Sequence, residues 1–205
     1  MPSSAKTTKI YEKAIAEHLK VIESMAGLQP VFEKIANAMS RAILGGHKIL
    51  WCGNGGSAAD SQHLAAELIG RFKCERQGLP SIAMTTDTSI LTAIGNDYGY
   101  ERVFQRQVEA LCTKGDVVVG ISTSGNSRNV CAALETARQL GAFAVAFTGE
   151  GGGTMAGLAD EVFRAPSKDT ARIQEAHILF GHMLCDWIEQ SVCEREVEAK
   201  HASHK

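Results

Sequence analysis

The sequence predicts an α/β fold, a parallel sheet with helices packed on both sides, and three observations point to it. Short apolar runs alternate with stretches of helical length over residues 48–165. Runs such as V-V-V-G-I and A-V-A-F are apolar throughout rather than alternating, as strands buried on both faces must be. Two strand-to-helix junctions, W-C-G-N-G-G-S-A-A-D (51–60) and V-G-I-S-T-S-G-N-S-R-N (119–129), echo one another in Gly, Asn and Ser. In an open parallel sheet both would lie at the carboxyl ends of strands, where ligands bind.

Each element follows from its pattern. Residues 1–45 read as helical, with Ile10, Ala14, Ile15, Leu19 and Ile22, then Phe32, Ile35, Met39, Ile43 and Leu44, recurring at helical spacing. Gly27 and Pro30 divide this segment into two helices, and Gly45-Gly46 ends the second. Strands are expected at Lys48–Cys52, Ser81–Met84, Asp116–Ile121, Ala142–Phe147 and Glu161–Ala165, and a last helix from about Thr170 to Glu196. The N-terminal helices count as part of one domain with residues 46–196, and 197–205 read as a frayed polar tail.

Composition narrows the function classes. A chain of 205 residues suits a single domain, and 20 glycines against four prolines suit tight loops rather than disorder. With 21 basic and 23 acidic residues the net charge is -2, without the basic excess of a nucleic-acid binder. No apolar run approaches the ~18 residues of a membrane span, and the N-terminus has no secretory h-region. The six cysteines match no zinc or disulfide spacing and read as reduced thiols, which points to the cytoplasm.

The loops suggest chemistry. Ser122, Thr123, Ser124 and Ser127 place four hydroxyls within six residues, just before a helix. Unpaired N–H groups and a partial positive charge at a helix start favour an anion, and without a P-loop lysine a sugar phosphate fits better than a nucleoside triphosphate. The plainer alternative is a turn with Ser127 as helix cap. Gly53–Ala58 can be read as G-x-G-x-x-A, but a dinucleotide site wants an acidic residue closing the second strand, ~20 positions on; the nearest candidate there, Asp87, comes about 30 residues after the loop. Ser57 with Asp60 also resembles a capping box. His63 and Glu67 share a helix face, as two metal ligands, a base with its partner, or an exposed pair. On the last helix stand Gln174, Glu175, His177, His182 and Asp186. Gln174 and His182 lie about 80° apart there, close enough to converge on one ligand, and His177 and His182 about 140°, too far to act together; spacing alone does not choose among the five. Asn96-Asp97 reads as a polar loop, which is equally a plain turn.

Four ordered blocks, G-N-G-G-S-A-A-D-x-Q-H-x-A-A-E, T-T-D-T-S-I-L-T-A-I-G-N-D-Y-G-Y, S-T-S-G-N-S and R-I-Q-E-x-H-x-x-x-x-H, closely resemble the phosphoheptose isomerases of the sugar isomerase (SIS) domain superfamily. The resemblance spans about Ile43 to Glu189. It implies a flavodoxin-like three-layer α/β/α sandwich with a five-stranded parallel sheet, and a helical N-terminal segment that packs in a homotetramer. It implies an aldose–ketose isomerase converting sedoheptulose 7-phosphate to D-glycero-D-manno-heptose 7-phosphate, the first step toward ADP- or GDP-heptose and the lipopolysaccharide core. The substrate contacts it implies are Asn54, Gly55, Gly56, Ser57, Glu67, Asn96, Asp97, Ser122, Thr123, Ser124, Ser127 and Gln174. It implies zinc on His63, Glu67, Gln174 and His182, and a catalytic pair of Glu67 and His182. The protein that associates with the bacterial replication initiator shares the S-T-x-G-N-S loop, but its family pattern lacks a glutamate at the position of Glu67. A non-catalytic protein of that kind, or a sugar-phosphate sensor, is the alternative reading.

Overall fold

The structure, a computed structural model, describes residues 4–202, the side chains of 4, 5, 196 and 199–202 excepted. The elements run α1 (Ser4–Ser24), α2 (Gln29–Leu44), β1 (Ile49–Gly53), α3 (Gly56–Ile69), β2 (Ser81–Ala83), α4 (Thr88–Tyr98), α5 (Gln105–Leu111), β3 (Val117–Ile121), α6 (Arg128–Gln139), β4 (Phe143–Gly149), β5 (Glu161–Ala165) and α7 (Thr170–Ala202). A 3₁₀ turn at Met25–Leu28 joins the first two helices. All five expected strands form, within one or two residues of their expected ends. The last helix differs: it continues past Glu196 to Ala202, and only 203–205 of the expected frayed tail lie outside the described residues.

The strands make one parallel sheet in the order β2-β1-β3-β4-β5. This is the flavodoxin-like order, in which the chain reverses its winding between β1 and β3 and opens a crevice at their carboxyl ends. Alternate side chains feed two cores. Ile49, Trp51, Val117, Val119, Val145 and Phe147 face α2, α3 and α7, while Leu50, Cys52, Val118, Ala144 and Ala146 face α5 and α6. At the amino end of the sheet, buried Asp116 accepts Lys48 N–H (3.0 Å), Lys48 Nζ (2.6 Å) and Thr113 N–H (2.7 Å), locking β1 to β3.

His177 belongs to the first core. It is fully buried against the rings of Phe147 and Phe163, and its Nε2 donates to the Thr148 carbonyl at 3.0 Å. Burial holds its pKa down at about 4, against the small opposing effect of that hydrogen bond. Because the folded value lies below the unfolded one, the stability is fully present above pH 6.5 and is lost as the pH falls toward 4. The loss at the acid end is on the order of 3 kcal/mol. The melting temperature of His177→Gln should therefore depend less on pH between 6.5 and 4 than that of the wild type; parallel melting curves would contradict a neutral buried imidazole.

Candidate active site

The crevice is built where β1 and β3 end side by side. After β1 the chain turns through Asn54 and Gly55 into α3, and after β3 through Ser122–Ser127 into α6. The two loops are stitched together by a reciprocal amide pair: Asn54 Nδ2 donates to Asn129 at 2.9 Å and Asn129 Nδ2 returns the bond at 2.8 Å. The Tyr100 hydroxyl also donates to Asn54, at 3.2 Å.

In the second loop the hydroxyls gather. Ser122 Oγ lies 2.9 Å from Ser127 Oγ and 3.3 Å from Ser124 Oγ. Ser127 stands at the N-cap position of α6, but its side chain does not cap; it turns to Ser122 instead. The loop is closed by a left-handed residue, Gly125 (φ +67), against which Gly152 and Gly153 pack so tightly that a Cβ would strike their backbone. Met155 N–H donates to the Gly125 carbonyl (2.9 Å) and Thr154 N–H to the Asn126 side chain (2.9 Å). The Gly151–Gly153 run is thus a buttress for the hydroxyl loop. Thr123 opens onto a cleft of about 230 Å³ shared with Gly149, Ser167, Lys168 and Ile173.

The capping box suggested for Ser57 and Asp60 does not form. Helix α3 begins at Gly56 with Gly55 as N-cap and no side-chain cap; Ser57 is buried in the first turn. Asp60 leaves Oδ2 buried without a partner, and burial pushes its pKa up to about 6, with His63 pulling the other way. Asn96 and Asp97 are not in a loop either. They form the exposed last turn of α4, Asn96 donating to Asp97 at 2.8 Å, because Gly99 (φ +88) ends the helix only after them.

Helices α3 and α7 bring three further candidates together. His63 Nε2 lies 2.8 Å from His182 Nε2 and 3.2 Å from Glu67 Oε1, and the three possible ligand atoms fall within 4.8 Å of one another. Burial, and after it the charge of His63, holds His182 below the ordinary histidine value, although Glu67 pulls the other way. A neutral imidazole is the form that can accept a proton or a metal, and a lowered value favours it. The Gln174 amide rests against Gly56 at the head of α3. The other α7 candidates point elsewhere: Glu175 pairs with His18 and Arg172, Asp186 with Lys73, and His177 is in the core.

The SIS domain model matches residues 10–149. Phosphoheptose isomerase of Aquifex aeolicus (strain VF5) is 54% identical over 190 residues, covering 93% of this chain and 98% of that protein. That of Aliarcobacter butzleri (strain RM4018) is 59% identical over 173 residues, 84% of this chain and 90% of the relative. The chain belongs to the phosphoheptose isomerase family. Among solved structures, the phosphoheptose isomerase from Neisseria gonorrhoeae superposes with a TM-score of 0.85 at 44% identity, covering 90% of this chain and 99% of that one. As a phosphoheptose isomerase family member the chain has the SIS fold and a sheet order to match.

Some residues of the crevice had escaped the sequence reading as contacts. Asn129 and Tyr100 stand inside the quoted motifs, so their position was the available signal. Phe72, which stacks on His182 with ring centroids 5.7 Å apart, lies in a loop with no periodicity to mark it.

Proposed function

We infer that the chain performs its family's reaction with Glu67 and His182 as the proton-transfer pair. It is an aldose–ketose isomerase acting on sedoheptulose 7-phosphate and forming D-glycero-D-manno-heptose 7-phosphate through an enediol. The observation that carries the assignment is the convergence of a carboxylate and two imidazoles from two helices.

The phosphate is assigned to the Ser122, Thr123, Ser124 and Ser127 loop, where hydroxyls and the α6 start meet the anion. The sugar then reaches toward α3 and α7, with Asn54, Gly55, Gly56, Ser57, Asn96, Asp97 and Gln174 assigned to its hydroxyls. Glu67 takes the proton from carbon 1 of the ketose, leaving an enediolate. His182 moves a proton between the oxygens on carbons 1 and 2, and the carbon-bound proton returns at carbon 2 to give the aldose. Nothing is gained or lost overall.

Zinc is proposed on His63, Glu67, Gln174 and His182. Two imidazole nitrogens and a carboxylate oxygen within 4.8 Å are a donor set that suits it; Gln174 is the less usual ligand. When bound, the ion would polarise the substrate carbonyl. A second copy of the chain is proposed to pack on the N-terminal helices. Tyr11, Ile15 and Leu19 form an exposed stripe on α1, and an apolar groove of about 390 Å³ runs beside it between Ile22, Met25, Phe32 and Met183. No helix among the described residues is long and apolar enough to cross a membrane.

Incubation with sedoheptulose 7-phosphate should yield an aldoheptose phosphate, and Glu67→Gln should lower turnover at least ~100-fold while leaving the fold and phosphate-ester binding intact; near-normal turnover would remove Glu67 as the base. Protein purified without chelator should carry about one zinc per chain and lose activity in EDTA, whereas metal-poor protein indifferent to EDTA would refute the zinc. Light scattering should give a tetramer's mass, reduced in Ile15→Glu/Leu19→Glu; an unchanged mass would place the interface elsewhere.

A further inference from the structure

The loop between α3 and β2, residues 70–80, is tied to α7 by a buried ion pair, Arg76 with Glu189, whose bonds reach the segments beside the proton-transfer pair. Glu189 stands on α7 two turns beyond His182, only about 20° round the helix. Its carboxylate accepts the backbone N–H groups of Phe72 (2.8 Å), Lys73 (2.6 Å) and Cys74 (2.9 Å). It also lies 3.1 Å from Nε of Arg76, and neither side chain is more than 2% exposed. Burial by itself would raise the Glu189 carboxyl, but these donors hold it below its ordinary value.

Arg76 in turn closes the end of α3. Its guanidinium donates to the carbonyls of Glu67 (3.2 Å), Leu68 (2.9 Å) and Gly70 (3.3 Å), groups a helix terminus leaves without partners. A buried charge pair seldom gains stability over apolar side chains of the same size, and its best-attested use is to fix a register. Here the segment it registers carries Phe72. That ring lies on the imidazole of His182, centroids 5.7 Å apart and planes inclined by 28°. Lys73, bonded to Asp186 at 2.6 Å, anchors the neighbouring residue one turn along α7.

We propose that Phe72 is a positioning residue for His182, held by the Glu189 carboxylate, and that its ring sets the plane in which the imidazole meets the sugar. The terminal torsion of a histidine is broad; the His63 contact holds one edge of the ring, and the aromatic ring on its face restricts the plane. The inference rests on His182 acting in the proposed isomerisation.

Phe72→Leu keeps apolar bulk but removes the flat face. Its kcat for sedoheptulose 7-phosphate should fall about tenfold with KM within about twofold of wild type, the pattern of a misaligned reacting group rather than lost binding. The melting temperature should not move, and Phe72→Tyr should restore kcat. Glu189→Gln, which keeps the shape but not the charge, should reproduce the loss in kcat. If Phe72→Leu melts early, Phe72→Met replaces it in the same comparison. The proposal is overturned by a kcat within about twofold of wild type, by a KM that rises in step with the loss, or by a tyrosine variant that restores nothing. A wild-type protein with no turnover would overturn the functional reading itself, a result distinct from all of these.

Discussion

Helices α3 and α7 approach so closely that there is no room for a side chain at Gly181. A Cβ there would stand 2.5 Å from Leu64, which is itself fully buried. The meeting of His63 with His182 depends on this contact. Leu64 follows His63 and Gly181 precedes His182, so the pair that makes the contact also delivers the two imidazoles to each other. Glu67 arrives with His63 because one helical turn separates them. A helix pair held at ordinary spacing would leave these groups too far apart to act on one carbon–oxygen unit.

The hydroxyl loop uses a different principle. The hydroxyl loop and the α6 start offer an anion neutral donors and a fixed dipole, so a chain of net charge -2 needs no basic patch there. That loop stays in shape because the Gly151–Gly153 turn backs it and the Asn54–Asn129 amide pair ties it to the loop after β1. Phosphate and proton-transfer chemistry are thus organised by separate supports, one a pair of stitched loops and the other a pair of packed helices.

Much of the fold was legible because its signals are local. Fully apolar runs marked strands buried on both faces, and each formed. Boundaries were less secure where the local signal pointed the wrong way. Asn96 and Asp97 look like turn residues, yet tertiary structure carries α4 through them to Gly99, which takes a positive φ. Ser57 and Asp60 have the spacing of a cap, but the helix starts one residue before Ser57, Ser57 is buried and Asp60 keeps one carboxylate oxygen buried. At the site, His63 and Glu67 could be paired from their spacing, and His177 could be set apart from His182 by angle. Which of the five α7 residues would meet α3 could not be read from periodicity, because every one of them lies on some face.

By itself the sequence determined the elements, the helix faces and the two Gly-rich loops, since each depends on residues a few positions apart. Only the tertiary structure decided that His63, Glu67 and His182 share one point in space, that glycines 151–153 brace a loop some 26 residues upstream in the chain, and that Phe72 lies on a histidine 110 positions away. Those facts are set by strand order, by a missing side chain at Gly181 and by a buried carboxylate at Glu189. None of the three has a local signature, because each acts between segments whose separation along the chain has no bearing on their distance in the fold.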